Sequence, residues 1–87
     1  MEFEWDEKKS RANKSKHGID FNLAIELWKD RDRIEIQTNF TSENRNALIG
    51  KIGGKHWTAI FTRREDAIRI ISVRRARKRE AGLYEQK

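Results

Sequence analysis

Apolar side chains recur along this chain at two periods, and the change between them separates a helical first third from a stranded remainder. Phe21, Ala24, Ile25 and Trp28 stand at i, i+3, i+4 and i+7, the stripe that one face of an α-helix buries. Asp20 precedes that stripe as an N-cap, and Ile19 and Ala24 occupy the positions of a hydrophobic staple. Upstream, Glu2-Phe3-Glu4-Trp5 alternates like a short edge strand. Asp6 then caps an expected helix over Glu7–His17, which Gly18 ends as its C′ residue. Glu7 in the first turn and Lys14, Lys16 and His17 in the last agree with the helix dipole.

From Arg33 the period falls to two. Arg33–Thr38 alternates cleanly, and Asn39–Asn44 reads as a polar loop. Arg45–Ile52 and His56–Thr62 flank Gly53-Gly54, which is a hairpin signal. Arg63–Ala67 makes a further turn, Ile68–Val73 the last strand, and a C-terminal helix is expected from about Arg74 to Tyr84. Four successive strands on short turns form an antiparallel meander, since parallel pairing needs long crossovers. The expected fold is α+β, in the order β-α-α-β-β-β-β-α, as one domain over residues 1–87. Trp57, Ala59 and Phe61 share one face of their strand. Strict alternation in the last strand sets Ile68, Ile70 and Ser72 against Arg69, Ile71 and Val73.

Composition narrows this. Apolar residues are 36% and charged residues 39% of the 87, so the core is thin. Eight well-spaced aromatics still exceed what a disordered chain carries. The absence of Cys excludes disulfides and thiolate metal sites, and two His make a poor zinc site. No apolar run has the length of a signal peptide or membrane span, so a cytoplasmic location and no membrane partner are expected.

The net charge of +6 is unevenly spread. Residues 1–32 set seven cations against eight acids, whereas residues 62–80 set eight against three. The excess peaks in Arg69-Ile70-Ile71-Ser72-Val73-Arg74-Arg75-Ala76-Arg77-Lys78-Arg79-Glu80, where a β-branched strand passes directly into a cationic helix former. Mixed signs serve solubility better than like charges, so this junction suits a polyanion such as nucleic acid. A solvated amphipathic helix is the bland alternative. Arg69, emerging among apolar neighbours, must face a groove or pair with an acid.

Several of these residues form a family pattern. Glu4-Trp5-Asp6, Lys8, Asn13, Lys16-His17-Gly18, Phe21 and Ala24 open it. Glu43-x-Arg45, Gly50, Thr62-x-Arg64 with the adjacent Arg63, Arg69-Ile70-Ile71-Ser72-x-Arg74-Arg75-Ala76, Arg79-Glu80 and Tyr84 continue it. In this order and spacing the chain resembles the BrnT family of bacterial toxins over nearly its whole length. It departs from the pattern at Glu7, where proline is common, at Val73, where a smaller residue is usual, and in the loop Asn39–Asn44, which lacks the usual glycine. The resemblance implies a RelE-like ribonuclease of a type II toxin–antitoxin pair. It further implies a ribbon-helix-helix antitoxin resembling BrnA, and a toxin–antitoxin complex that represses the shared operon, with DNA touched only through the antitoxin. A gyrase-inhibiting toxin of the same superfamily, a non-enzymatic nucleic-acid-binding regulator and a module that docks an acidic protein are the alternatives.

RNA cleavage through the 2′-hydroxyl needs a base, an acid and cations for the charge on phosphorus. RelE-like sites supply the cations heavily. The sequence offers no clustered metal-binding carboxylates, no Gly-rich phosphate loop and no Ser-His-Asp signature, so no cofactor or metal is expected. His17 is a candidate acid or base, or else a helix C-terminal charge. Arg74, Arg75 and Arg79 at i, i+1 and i+5 are candidates to hold the scissile phosphate, or else partners of Glu80 or Glu85. Glu43 and Arg45 are a candidate base and orienting cation, or a cross-strand ion pair. Arg63 or Arg64, in the expected turn, enters on the resemblance. The catalytic candidates are thus His17, Arg45, Arg63, Arg74 and Arg75, and the RNA-binding candidates Lys8, Lys16, Arg69, Lys78 and Arg79. For Lys8 and Lys16 the competing reading is a solvated helix face, and for the tryptophans it is the core.

Overall fold

The structure, a computed structural model, describes residues 1–37 and 44–86. The expected loop from Asn39 therefore lies, up to Glu43, outside the described residues. Five strands, β1 (Glu2–Glu4), β2 (Ile34–Gln37), β3 (Arg45–Ile52), β4 (Lys55–Arg64) and β5 (Ala67–Arg75), form one sheet in the order β1-β5-β4-β3-β2. Strands β2 to β5 make the expected antiparallel meander. The N-terminal strand closes the opposite edge by pairing parallel with β5, Glu4 facing Arg69. The sheet is mixed, and the element order is the one read from the sequence.

Helix α1 (Glu7–His17) is capped at both ends as its sequence requires. The Asp6 carboxylate accepts from the Lys8 N–H at 2.9 Å, and Gly18, at φ 80°, donates back to the Lys14 carbonyl. Its inner face buries two polar residues instead of an apolar stripe. Ser10 accepts from the Phe21 N–H at 2.9 Å. Asn13 donates to the carbonyls of Ile19 and Val73, both at 2.8 Å, and accepts from the Val73 N–H at 3.1 Å. Beyond the three residues of β1, the edge of β5 has backbone groups to satisfy, and Asn13 supplies the missing partner.

The second helix is shorter than its stripe predicts. It is α-helical only over α2 (Phe21–Ala24), then tightens into a 3-10 turn over Ile25–Lys29. The tighter winding carries Leu27 into the core and leaves Ile25 half-buried. Leu27 lies over Gly50, where a Cβ would stand 3.1 Å from its Cδ2, so the glycine permits this close approach.

Helix and sheet enclose a core of Ile19, Phe21, Leu27, Trp28, Leu48, Phe61, Ile68, Ile70 and Val73. Trp28 sits edge-on between Phe3 and Phe61, with ring centroids 5.1 and 5.3 Å away. Val73 belongs to this core because the last strand does not alternate strictly. Between the pairs Phe61–Ile70 and Ile60–Ser72 the register slips by one, which is a β-bulge at Ile71. The bulge turns Val73 inward and Ser72 outward, reversing the expected assignment of both.

At the C-terminal end two expectations are corrected. Arg63 and Arg64 are not in a turn: β4 runs to Arg64, and the reversal is confined to Glu65-Asp66, with Glu65 at φ 51°. Arg74 and Arg75 are not helical. Strand β5 runs through Arg75, the Ala76 N–H donates to the His56 carbonyl, and helix α3 spans Lys78–Glu85. Glu80 sets that start by accepting from the Arg77 N–H at 2.7 Å.

Candidate nucleic-acid interface

Cross-strand partners share a sheet face, so the register shows which residues stand together. Ala59, Phe61, Ile70 and Val73 point into the core, and their neighbours point the other way. On that outer face Arg45, Thr62, Arg69 and Glu4 lie in one row across β3, β4, β5 and β1. The next row is Ile36, Ala47, Ile60 and Ser72, and the third is Ile34, Ile49, Thr58 and Arg74. Ile34, Ile36, Ile60, Thr62, Arg69 and Ser72 are half-buried, so this part of the face is open. An aliphatic floor thus has cations at one end and, at the other, Arg74 beneath α3.

Three sequence candidates, Arg45, Arg69 and Arg74, share this face, but they differ in their engagements. Arg69 donates one bond to Glu4 at 3.0 Å, with its side chain 28% exposed. Only its Nη1 meets an acid among the described residues, so its other N–H donors are not held by a carboxylate there. Arg74 is locked. Its Nη1 and Nη2 donate to Glu80 at 2.8 and 2.9 Å, while Glu80 also accepts from the Thr58 hydroxyl at 2.9 Å. These donors, Arg74 foremost, hold the Glu80 carboxyl down to about 2. Of the partners foreseen for the arginine cluster, Glu80 takes Arg74, whereas Glu85 takes Lys51 and His56.

The other candidates stand elsewhere. Arg63 pairs with Ile68 in register and so lies on the helix-covered side, where it makes a two-pronged contact with Glu35 at 2.7 and 2.8 Å. That contact holds the Glu35 carboxyl below its usual range. Glu35, Gln37, Asn44, Asn46 and Arg63 line a shallow depression of about 450 Å³ there. Arg75 is on the same side; its guanidinium lies 5.5 Å from the Trp57 ring centroid and its Nε donates to the His56 carbonyl. Lys8, Lys16 and the half-buried His17 are on α1, and Lys78 and Arg79 are exposed at the start of α3. Glu43 falls outside the described residues. The structure therefore groups Arg45, Arg69 and Arg74, and distributes the rest among α1, α3 and the opposite face.

Sequence reading named Glu80 as a partner for the arginine cluster but missed Glu4 and Glu35. These lie 65 and 28 positions from Arg69 and Arg63. It also missed Asp30, which accepts from the Lys51 N–H at 2.8 Å and from the Tyr84 hydroxyl at 2.7 Å, tying α3 to the end of the helical layer. The strand alternation signals the Glu4 and Glu35 positions, but not their partners. Among the described residues no three His, Asp or Glu side chains form a group able to hold a metal ion, and no helix is long and apolar enough to cross a membrane.

No curated protein matches the chain. The family model described as the ribonuclease toxin BrnT of type II toxin–antitoxin systems matches residues 5–80, a span from Trp5 to Glu80 that contains β5 and the Arg74–Glu80 pair. That match favours an enzyme over the gyrase-inhibiting and non-enzymatic alternatives. The chain belongs to the BrnT family, as a ribonuclease toxin of a type II toxin–antitoxin system with RNA as its substrate and an antitoxin as its partner.

Proposed function

We propose that this toxin cleaves RNA on the open sheet face, without a metal ion, by attack of a 2′-hydroxyl on the adjacent phosphorus. The 2′-hydroxyl gives up its proton to a base as its oxygen bonds to phosphorus, the 5′-oxygen leaves and takes up a proton from an acid, and the products are a 2′,3′-cyclic phosphate and a 5′-hydroxyl. The observation that carries this reading is the row Arg45-Thr62-Arg69 above an aliphatic floor. Guanidinium groups stabilise the charge that develops on the phosphoryl oxygens, and the 2′-hydroxyl is a nucleophile already held at the reacting centre. Arg45 and Arg69 carry the electrostatic role, and Arg74 fixes the strand-to-helix junction behind them. His17, Arg63 and Arg75, which stand off this face, bear on substrate away from the scissile bond.

The partner in this reading is a ribbon-helix-helix antitoxin resembling BrnA, which neutralises the toxin in the cytoplasm. The complex represses its own operon, the antitoxin alone touching DNA. The whole of residues 1–87 acts as one domain.

Incubation of the purified toxin with RNA in EDTA tests the mechanism. Cleavage should persist and leave cyclic or 3′-phosphate ends, and single-stranded DNA should bind without being cut. Ends bearing a 3′-hydroxyl, cleavage of DNA, or activity only with added Mg²⁺ would overturn it.

A further inference from the structure

Helix α1 carries Lys8, Lys9, Arg11, Lys14 and Lys16 within its 11 residues, all exposed, with Glu7 its one acid. In sequence these charges are offset by the acids of residues 1–32, but the fold engages most of those acids in other contacts. Asp6 and Asp20 cap helices, Glu4 holds Arg69, Glu26 holds Lys29, and Asp30 holds Tyr84. None of the five α1 cations has a carboxylate partner among the described residues, whereas Lys29, Lys51, Arg63, Arg69 and Arg74 each have one. The α1 arc is therefore left with uncompensated charge, and its counterion must come from outside.

The geometry of the arc selects the class of counterion. Lys8, Arg11 and Lys14 stand at i, i+3 and i+6, a slanting row about 9 Å long at a rise of about 1.5 Å per residue. Lys9 and Lys16, at i and i+7, form a second row. The helix also has a direction. Glu4 sits beside Arg69, and Asn13 bonds to Val73, so α1 advances along β5 toward its C-terminal end. That is the end where the chain continues into the exposed Arg77, Lys78 and Arg79. A protein partner would need apolar surface to bury, because interface cores are poor in Lys. The arc offers none: among the described residues the exposed large apolar side chains, Met1, Leu23 and Leu83, all lie outside α1. A line of cations without apolar anchors fits a phosphate backbone.

We infer that the outer arc of α1 is a second RNA-binding surface, a track that holds the sugar-phosphate backbone of a long RNA while a distant phosphate lies on the sheet face. The placing of cleavage on that face rests on the reading proposed above; the track itself does not. The track makes chain length a determinant of substrate: long RNA engages both surfaces, and short RNA only one.

The test compares the native toxin with the triple variant Lys9→Gln, Arg11→Gln, Lys14→Gln, which leaves every proposed sheet-face residue in place. Binding is followed against salt with 2′-O-methylated poly(U), which cannot be cut by 2′-hydroxyl attack. Each lost phosphate contact should lower the log–log salt slope by about 0.7, so three should lower it by about 2 and weaken binding roughly tenfold or more. Cleavage of unmodified poly(U) should fall in parallel, while cleavage of a short oligo(U) is unchanged. The charge-conserving pair Lys9→Arg, Lys14→Arg should retain the native slope, which separates charge from folding. An unchanged slope in the triple variant, with the native toxin active, overturns the track and leaves the cleavage reading intact. Weakened binding to polyglutamate with an unchanged poly(U) slope assigns the arc to an acidic protein instead, and overturns it too. Native toxin that neither binds nor cuts poly(U) defeats both readings.

Discussion

Arg74 and Glu80 form a fork-to-fork pair, two guanidinium nitrogens meeting two carboxylate oxygens at 2.8 and 2.9 Å, with side chains only 25% and 19% exposed. The pair joins the end of β5 to the first turn of α3, and Thr58 and the Arg77 N–H complete the carboxylate's shell. Removing one partner strands a partly desolvated charge. Arg74→Ala and Glu80→Ala should each lose about 1–3 kcal/mol in urea unfolding. Losses below a few tenths of a kcal/mol would show the junction to be held by other contacts.

The same pair predicts acid sensitivity. Glu80 has its carboxyl pushed down from 4.5 to about 2 in the folded chain. A depressed carboxyl contributes stability above its unfolded value, and that stability is lost as pH falls from about 4.5 toward 2. The contribution is on the order of 2–3 kcal/mol. Glu80→Gln, which does not titrate, should flatten the stability profile through this window. An identical acid limb in native and variant protein would assign the loss to other carboxylates.

These partnerships explain what the sequence could and could not disclose. Caps, the Gly53-Gly54 hairpin and the meander rest on residues adjacent in the chain, and local rules reach them. The 3-10 turn depends on Leu27 meeting Gly50, and the bulge on Val73 being held by Asn13 from 60 positions away. No local pattern encodes such contacts. For the site, the cationic run from Arg74 to Arg79 was legible as charge, but its interpretation turns on Glu80 and on where β5 stops. A helix begun at Arg74 would have put Arg75 and Arg79, at i and i+4, on one face; the strand instead sends Arg74 and Arg75 to opposite faces.

Tyr84 offers a direct readout of α3 docking because it is the chain's single tyrosine. Burial, and then its bond to Asp30, raise the phenol above the ordinary 10.0. A raised phenol contributes stability that is full below about pH 10 and is lost as pH climbs above it. The tyrosinate absorbance should therefore appear only with unfolding, well above pH 10. Tyr84→Phe should lose about 1 kcal/mol at neutral pH and show a flatter alkaline limb. Ionisation near pH 10 in the folded protein would mean that Tyr84 is not held by Asp30.

Asn13 is the most constrained polar residue of α1, making three buried hydrogen bonds that serve Ile19 and Val73. Asn13→Ala should lose roughly 2–4 kcal/mol, because three backbone groups are left without a partner. Asn13→Asp should be worse at neutral pH, since a carboxylate would face two carbonyl oxygens, and should recover on acidification as the acid protonates and donates. Equal stabilities of the Ala and Asp variants across pH would contradict this geometry.

The Glu4–Arg69 pair stands between the charge that the proposed reading gives to RNA and the charge already engaged within the fold. Glu4 stands opposite Arg69 in parallel register and takes one of its hydrogen bonds at 3.0 Å, at the end of the row that includes Arg45 and Thr62. Both side chains remain partly exposed, so the pair itself adds little to stability. On the proposed reading, an incoming phosphate must compete with Glu4 for Arg69. The two residues should therefore have opposite effects. Arg69→Gln removes a donor aimed at developing charge and should lower kcat about tenfold to a hundredfold, with folding intact. Glu4→Gln keeps the shape, removes the competing charge and should lower KM severalfold while kcat changes little. The double variant should behave like Arg69→Gln alone, because Glu4 acts only through the arginine. Parallel losses in both single variants would mean that the pair serves the fold, and the cleavage surface would then have to be sought away from this row.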